Sequence, residues 1–305
     1  MLPPRRGSPL PRRGHVVVDT GPRTATLASV AAVPDLRERI IELWDRRTEL
    51  DPTDADVLGV VDEAIDALDR GEARVAEPVD GEVIVHEWLK QAVLLYLQLA
   101  PMASVHLGPF EYVDRIPLKQ GLEAGGVRAL PGSIVRRGAF VDRGVVLMPS
   151  FVNIGARVGR GTMVDTWATV GSCAQVGSNV HLSGGVGLGG VLEPLQAAPV
   201  VIEDEAFIGS RCMVTEGARV GQGAMLGAGI ILNPSIPVID GETGEEVSRG
   251  VVPPWCLAIS ATRPKQLAGG TFGLPCVLIL KRLVVGERHD KGRVNDVLRA
   301  HGASL

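Results

Sequence analysis

The chain is 305 residues long, room for two or three structural units, and carries 31 Lys and Arg against 35 Asp and Glu for a formal net charge of −4. The mixed charge offers no broad basic face, which argues against a nucleic-acid partner. Cys173, Cys212, Cys256 and Cys276 show no CxxC spacing, and the longest apolar run, residues 92–100 broken by Gln98, is far too short for a bilayer. A reduced, cytoplasmic compartment and no membrane partner are the expectation.

Residues 1–30 form a leader rich in Arg and Pro (Arg5, Arg6, Pro9, Pro11, Arg12, Arg13) with no apolar signal core, expected to be disordered. Pro34-Asp35 opens a helical pattern with Leu36, Ile40, Ile41, Leu43 and Trp44 apolar. A second helix follows from Asp54 and stops at Gly71. Residues 74–85 read as a hairpin turning at Asp80-Gly81, and residues 86–99 as a third helix. Together they predict a small, mostly helical N-terminal domain over 31–125.

A different rhythm then takes over. Aliphatic anchors recur at every sixth position: Ile134, Phe140, Val146, Val152, Val158, Val164, Val170, Val176, Leu182, Leu188, and again from Ile202 to Leu232. Small residues follow four places later, as at Ala156, Thr162, Ala168, Ala174, Ala206 and Ala218. A helix repeats near 3.6 and a strand at 2; a period of six is that of a parallel β-helix of hexapeptide repeats, which makes the chain mainly β. The anchors are expected to stack inside a narrow prism over 126–260, left-handed as in that repeat class. Gly159, Gly171, Gly177, Gly209, Gly221 and Gly227 are expected to serve corners of unusual φ and ψ. One insertion, residues 189–199 with Glu193, leaves the prism. A C-terminal cap over 261–305 is expected, with a strand at 276–285 and a short helix at 294–301 covering the end of the solenoid.

A prism this narrow has no internal cavity, so reactive groups must lie on its outside or between subunits. Three places break the repeat with residues that packing does not require: Asp165-Thr166-Trp167, the glycine-dense run from His181 to Gly190, and the insertion. The run's Gly184, Gly185, Gly187 and Gly189 are expected to leave backbone amides open to an extended, amide-bearing arm such as pantetheine, though glycines also simply turn corners. Asp165 reads either as a structural corner residue or as a general base. His181, the one histidine in the repeat, is a competing base, and its isolation argues against a metal site. Lys265, Lys281 and Arg282 are candidate partners for phosphates, or plain surface charges.

The run from Met163 through Gln175, continuing from Asn179 to Gly185 and from Leu192 to Gln196, resembles the tetrahydrodipicolinate N-succinyltransferase family. So do Val146-Leu147-Met148-Pro149-Ser150, Arg74-Val75-Ala76-Glu77 and Trp88-Leu89-Lys90. The resemblance covers about residues 35–299. It implies a homotrimer with sites between neighbouring β-helices. It also implies succinyl transfer from succinyl-CoA, a co-substrate rather than a bound cofactor, to an amino-dicarboxylate on the diaminopimelate route to lysine. By motif match it places substrate at Arg128 and Asp165, with Asp165 catalytic. One departure stands out: where the resemblance implies a glutamate able to move protons, this chain has Met213.

Overall fold

The computed structural model describes residues 28–79, 81–285 and 291–304; most of the leader lies outside them. Helix α1 (Ala28–Asp45) begins upstream of Pro34, and α2 (Ala55–Arg70) and α3 (Glu87–Leu99) pack against it. Asp54 caps α2, its Oδ1 accepting from the amides of Asp56 and Val57 at 2.9 and 3.2 Å, and Gly71 ends it at φ 74°, a conformation that spares only glycine a steric penalty. The expected hairpin forms from β1 (Ala76–Val79) and β2 (Glu82–Val85). A second hairpin, β3 (Ala103–Leu107) with β4 (Phe110–Asp114), follows α3, where the sequence reading places no element.

Beyond it the chain winds through three parallel sheets. The first face stacks Arg128–Ala129, Val146–Leu147, Met163–Val164, His181–Leu182, Phe207–Ile208 and Met225–Leu226. The second stacks Ile134–Val135, Phe151–Val152, Thr169–Val170, Gly187–Leu188, Met213–Val214 and Ile231–Leu232. The third runs from Phe140–Val141 to Val251–Val252 and carries the helical unit. From Ile134–Val135 on, each strand's second residue points inward, and Val152, Val164, Val170, Leu182, Ile208 and Val214 are wholly buried. At roughly 1.5–3 kcal/mol per buried aliphatic side chain, this column holds the prism together.

The inward register departs from the sixfold reading at its start. Val135, Val141 and Leu147 are buried, whereas Ile134 is 36% exposed and Phe140 and Val146 are half-buried. The cause is the corner at Met148-Pro149-Ser150: the strands that begin at Val146 and Phe151 are one residue closer than their neighbours. Before that corner the true anchors sit one place later.

The glycines after the anchors also have a different cause from the one expected. None of the six lies at positive φ. A Cβ on Gly159 would come within 2.6 Å of the Gly177 carbonyl group, and one on Gly209 within 2.5 Å of the Leu226 oxygen. These glycines let successive coils approach. The left-handed corner positions are held elsewhere, several by non-glycines: Trp167, Cys173, Asn179, Glu205, Arg211, Glu216 and Trp255.

The C-terminal cap is larger than a strand and a helix. Cys256–Leu267 and Gly270–Arg282 form a long antiparallel hairpin on the upper end of the first face, followed by α4 (Lys291–Ala300). Leu283 and Leu298 pack with Phe207, Met225 and Leu257 and close the outward side of that end.

Candidate functional site

The corner between the first and second faces collects most of the exposed chemistry. From Val164 onward each coil crosses it through one left-handed residue: Trp167 (φ 62°), Gly185 (72°), Arg211 (58°) and Gly229 (77°). A ladder ties them coil to coil, with the Trp167 amide donating to Pro149 O at 2.7 Å, Gly185 to Thr166 O at 2.9 Å and Arg211 to Gly184 O at 3.0 Å. The ladder fixes Asp165, which follows the buried Val164 and whose amide donates to Leu182 O at 2.9 Å. Its Oδ1 accepts from the Thr166 amide at 2.6 Å and from Thr166 Oγ1 at 3.2 Å. Among the described residues Oδ2 has no partner, so one oxygen orients the carboxylate and the other is available to a ligand.

Arg128 is exposed at the outer end of the first face. Val146 pairs with both Arg128 and Met163, so Arg128 lies two strands below the Asp165 coil, about 9.5 Å at the usual interstrand spacing. One chain does not bring the two into contact.

The glycine run does not offer an open backbone edge. The amides of Gly185, Gly187 and Gly189 donate to Thr166 O, Cys212 O and Val214 O at 2.9, 2.9 and 2.8 Å. A coil inside a parallel β-helix has neighbours on both sides, and these groups are used there. What the run does provide is a strip of surface without side chains. Met213 and Arg211 of the next coil fold down onto it: a Cβ on Gly187 would lie 2.5 Å from Met213 Sδ, and one on Gly185 3.2 Å from Arg211 Cγ. Met213 itself is 42% exposed.

His181 is stacked flat on Phe207, centroids 4.8 Å apart and rings 3° from parallel, beside the C-terminal hairpin. Its ring is engaged in packing. Of the candidate phosphate partners, Arg282 pairs with Asp240 at 3.0 Å, and Lys265 is exposed on the hairpin. Among the described residues no group of three or more His, Cys, Asp or Glu could hold a metal ion.

The insertion is seated on the helical unit. Leu192 packs against its core, and the fully buried Lys90 donates Nζ to Ala197 O at 2.6 Å. Burial holds the Lys90 ammonium below its ordinary pKa. Glu193 remains exposed at the tip. A separate polar groove of about 280 Å³ lies between Arg74, Pro78, Glu203, Asp204 and Gln222; it takes in Arg74 of the resembling motif but neither Arg128 nor Asp165. Arg211 is the site residue that sequence reading misses, since its left-handed backbone and its lie across Gly185 leave no trace in local composition.

Two family models match the chain: the N-terminal domain of tetrahydrodipicolinate N-succinyltransferase over residues 35–99, and the hexapeptide repeat of succinyl-transferase over residues 199–234. A Bordetella pertussis protein named 2,3,4,5-tetrahydropyridine-2,6-dicarboxylate N-succinyltransferase is 48% identical over 274 residues, 87% of this chain and 99% of its own. Proteins of the same name from Caulobacter vibrioides, 48% identical over 277 residues, and Dechloromonas aromatica, 46% over 271, each align with 87% of this chain and with 99% and 98% of their own lengths. With a hexapeptide-repeat prism, a helical N-terminal unit and near-complete alignment to these relatives, the chain belongs to the tetrahydropyridine-dicarboxylate N-succinyltransferase family.

Proposed function

We propose that the chain transfers the succinyl group of succinyl-CoA to the amine that hydration of tetrahydrodipicolinate releases, giving N-succinyl-2-amino-6-oxopimelate and CoA in the diaminopimelate route to lysine. The observation that carries this reading is the 48% identity over nearly the whole length of enzymes so named, together with an oriented Asp165 whose second oxygen has no partner among the described residues. Asp165 Oδ2 accepts a proton from the amine as its nitrogen attacks the thioester carbonyl. The tetrahedral centre collapses, the C–S bond breaks, and the CoA sulfur leaves with a proton. General-base help of this kind is worth about 10²–10⁴ in rate.

In this reading Arg128 grips a substrate carboxylate, its planar guanidinium suited to bidentate contact. The spacing between Arg128 and Asp165 within one chain supports a site completed by a neighbouring copy. A homotrimer also accounts for the second face: Ile134, Met213 and Ile231 point outward there at 36%, 42% and 58% exposure, and parallel sheets are rarely left uncovered. The donor's pantetheine arm would lie along Gly184, Gly185, Gly187 and Gly189, where missing side chains let it approach. Left-handed winding, a cytoplasmic location and the division into units at 31–125, 126–260 and 261–305 belong to the same reading.

Met213 favours a second reading, an acyltransferase of the same mechanism with a changed acyl donor or acceptor. The deciding experiment follows thiol release with succinyl-CoA and, in parallel, acetyl-CoA, in the presence of the cyclic imine dicarboxylate. Preference for succinyl-CoA supports the first reading, preference for acetyl-CoA the second, and no release with either overturns both. Light scattering should give a mass of three chains; a monomer would remove the shared site.

A further inference from the structure

Trp167 pays two penalties that folding does not return. Its indole is 77% exposed, and its backbone sits at φ 62°, where a bulky residue is strained by about 1–3 kcal/mol. Glycine occupies the equivalent place one coil above, at Gly185. Arg211, two coils above, is the other long side chain on the same corner and is also left-handed. Its stem lies across Gly185 toward the Trp167 coil, with Cγ at 3.2 Å and Nη1 at 3.8 Å from where a Cβ on Gly185 would stand. Among the described residues the Arg211 guanidinium has neither a carboxylate partner nor a hydrogen bond, and it makes no cation–π contact with Trp167. The corner therefore presents an uncovered aromatic face and an unneutralised guanidinium on either side of a glycine, with the open oxygen of Asp165 two residues before the indole.

Resting on the acyltransferase reading, we propose that Trp167 and Arg211 form the specificity clamp for the acceptor: the indole packs against its planar ring or the chain derived from it, and Arg211 grips a carboxylate. Both would be paired with the acceptor rather than with the donor because Asp165, the group that must meet the amine, shares their corner. Gly185 is required so that Arg211 can lie down over it. A planar group carrying anions also describes the adenine end of CoA, so the test must separate the two substrates.

Steady-state kinetics on W167A and R211M should raise the acceptor KM at least tenfold while the succinyl-CoA KM stays within twofold and the mass by light scattering is unchanged. R211M should also lose the preference for a dicarboxylate acceptor over its monocarboxylate analogue, which a merely structural residue would keep. Tryptophan fluorescence supplies a readout without turnover: acceptor alone should quench wild type, and W167F should lose that quench. A rise confined to the donor KM, a quench by CoA instead of acceptor, or a loss of oligomer mass in W167A would overturn the clamp. If wild type neither turns over nor is quenched by the acceptor, the acyltransferase reading itself fails; if wild type binds and the variants bind equally well, the clamp alone fails.

Discussion

Met213 rests its thioether on the backbone of Gly187, one strand below it on the second face. Thr169, in the coil of Asp165, is the next residue down that row. A side chain at 213 that folds the same way therefore reaches toward the Asp165 corner. Met213→Glu puts a carboxylate there, the group the family resemblance implies, and should raise turnover roughly threefold or more if proton transfer limits the rate. Turnover equal to or below wild type, at unchanged KM for both substrates, would show that Asp165 needs no second acid or base.

The same contact predicts a contrast between two glycines. Gly187→Ala meets only the end of a flexible, part-exposed methionine, which can swing aside, so its cost should stay under about 1 kcal/mol. Gly159→Ala meets the backbone of Gly177 at 2.6 Å, and nothing there can move without separating two coils. Its cost should reach at least about 2 kcal/mol. Denaturant midpoints of the two variants check this, and equal losses would mean the coils yield more readily than their spacing implies.

Asp165→Asn isolates the base. Asparagine keeps an Oδ1 to accept from the Thr166 amide, so the corner should hold its shape, while the proton-accepting oxygen becomes an amide nitrogen. Turnover should fall by at least about tenfold, and by about 10²-fold or more if Asp165 supplies the full help of a general base, with the thermal midpoint and oligomer mass unchanged. An unaltered rate would take Asp165 out of the chemistry.

How much of this was legible in the sequence follows from what the local chain controls. Period six was visible because every coil repeats one packing problem, a branched side chain inward and a small one beside it. Val170 and Leu182 were read correctly for that reason. The offset at Ile134 was not, because the short corner at Pro149 is a single deletion whose effect appears only when strands pair. Asp165 and Trp167 stood out as residues unlike the repeat. Arg211 did not, since its reach across Gly185 is a relation between coils 26 residues apart in sequence. Of the long hairpin over residues 256–282 only the inner part of its second strand, within the expected 276–285, was read, because its outer half has no core to imprint a pattern on it.

That offset is itself testable. Leu147 points into the prism with no exposure and Val146 points out, half-buried. Leu147→Ala should cost about 2–5 kcal/mol, in the range of truncated core leucines. Val146→Ala should cost under about 1 kcal/mol. The reverse order in urea unfolding would restore the uninterrupted sixfold register.

The four thiols predict how the fold responds to alkali. Burial pushes Cys173 and Cys256 up to about 12 and Cys212 to about 11, and raises Cys276, from an ordinary value of 9.0. Above pH 9 the unfolded chain releases these protons first, so it binds fewer than the folded one, and stability falls as pH rises. Each thiol removes about 1.4 kcal/mol per pH unit until its folded value is reached. Lys90 acts in the opposite sense, because its lowered value makes the unfolded chain hold the extra proton up to 10.5. The net slope of wild type mixes both, whereas Cys212→Ala removes one thiol far from Lys90 and changes nothing else that titrates nearby. Its stability should fall less steeply than wild type between pH 9 and 10.5, by about 1.4 kcal/mol per unit, whatever constant cost the missing sulfur adds. Parallel curves for the two proteins would mean that Cys212 is solvated, and with it the interior of the prism at the coil of Met213.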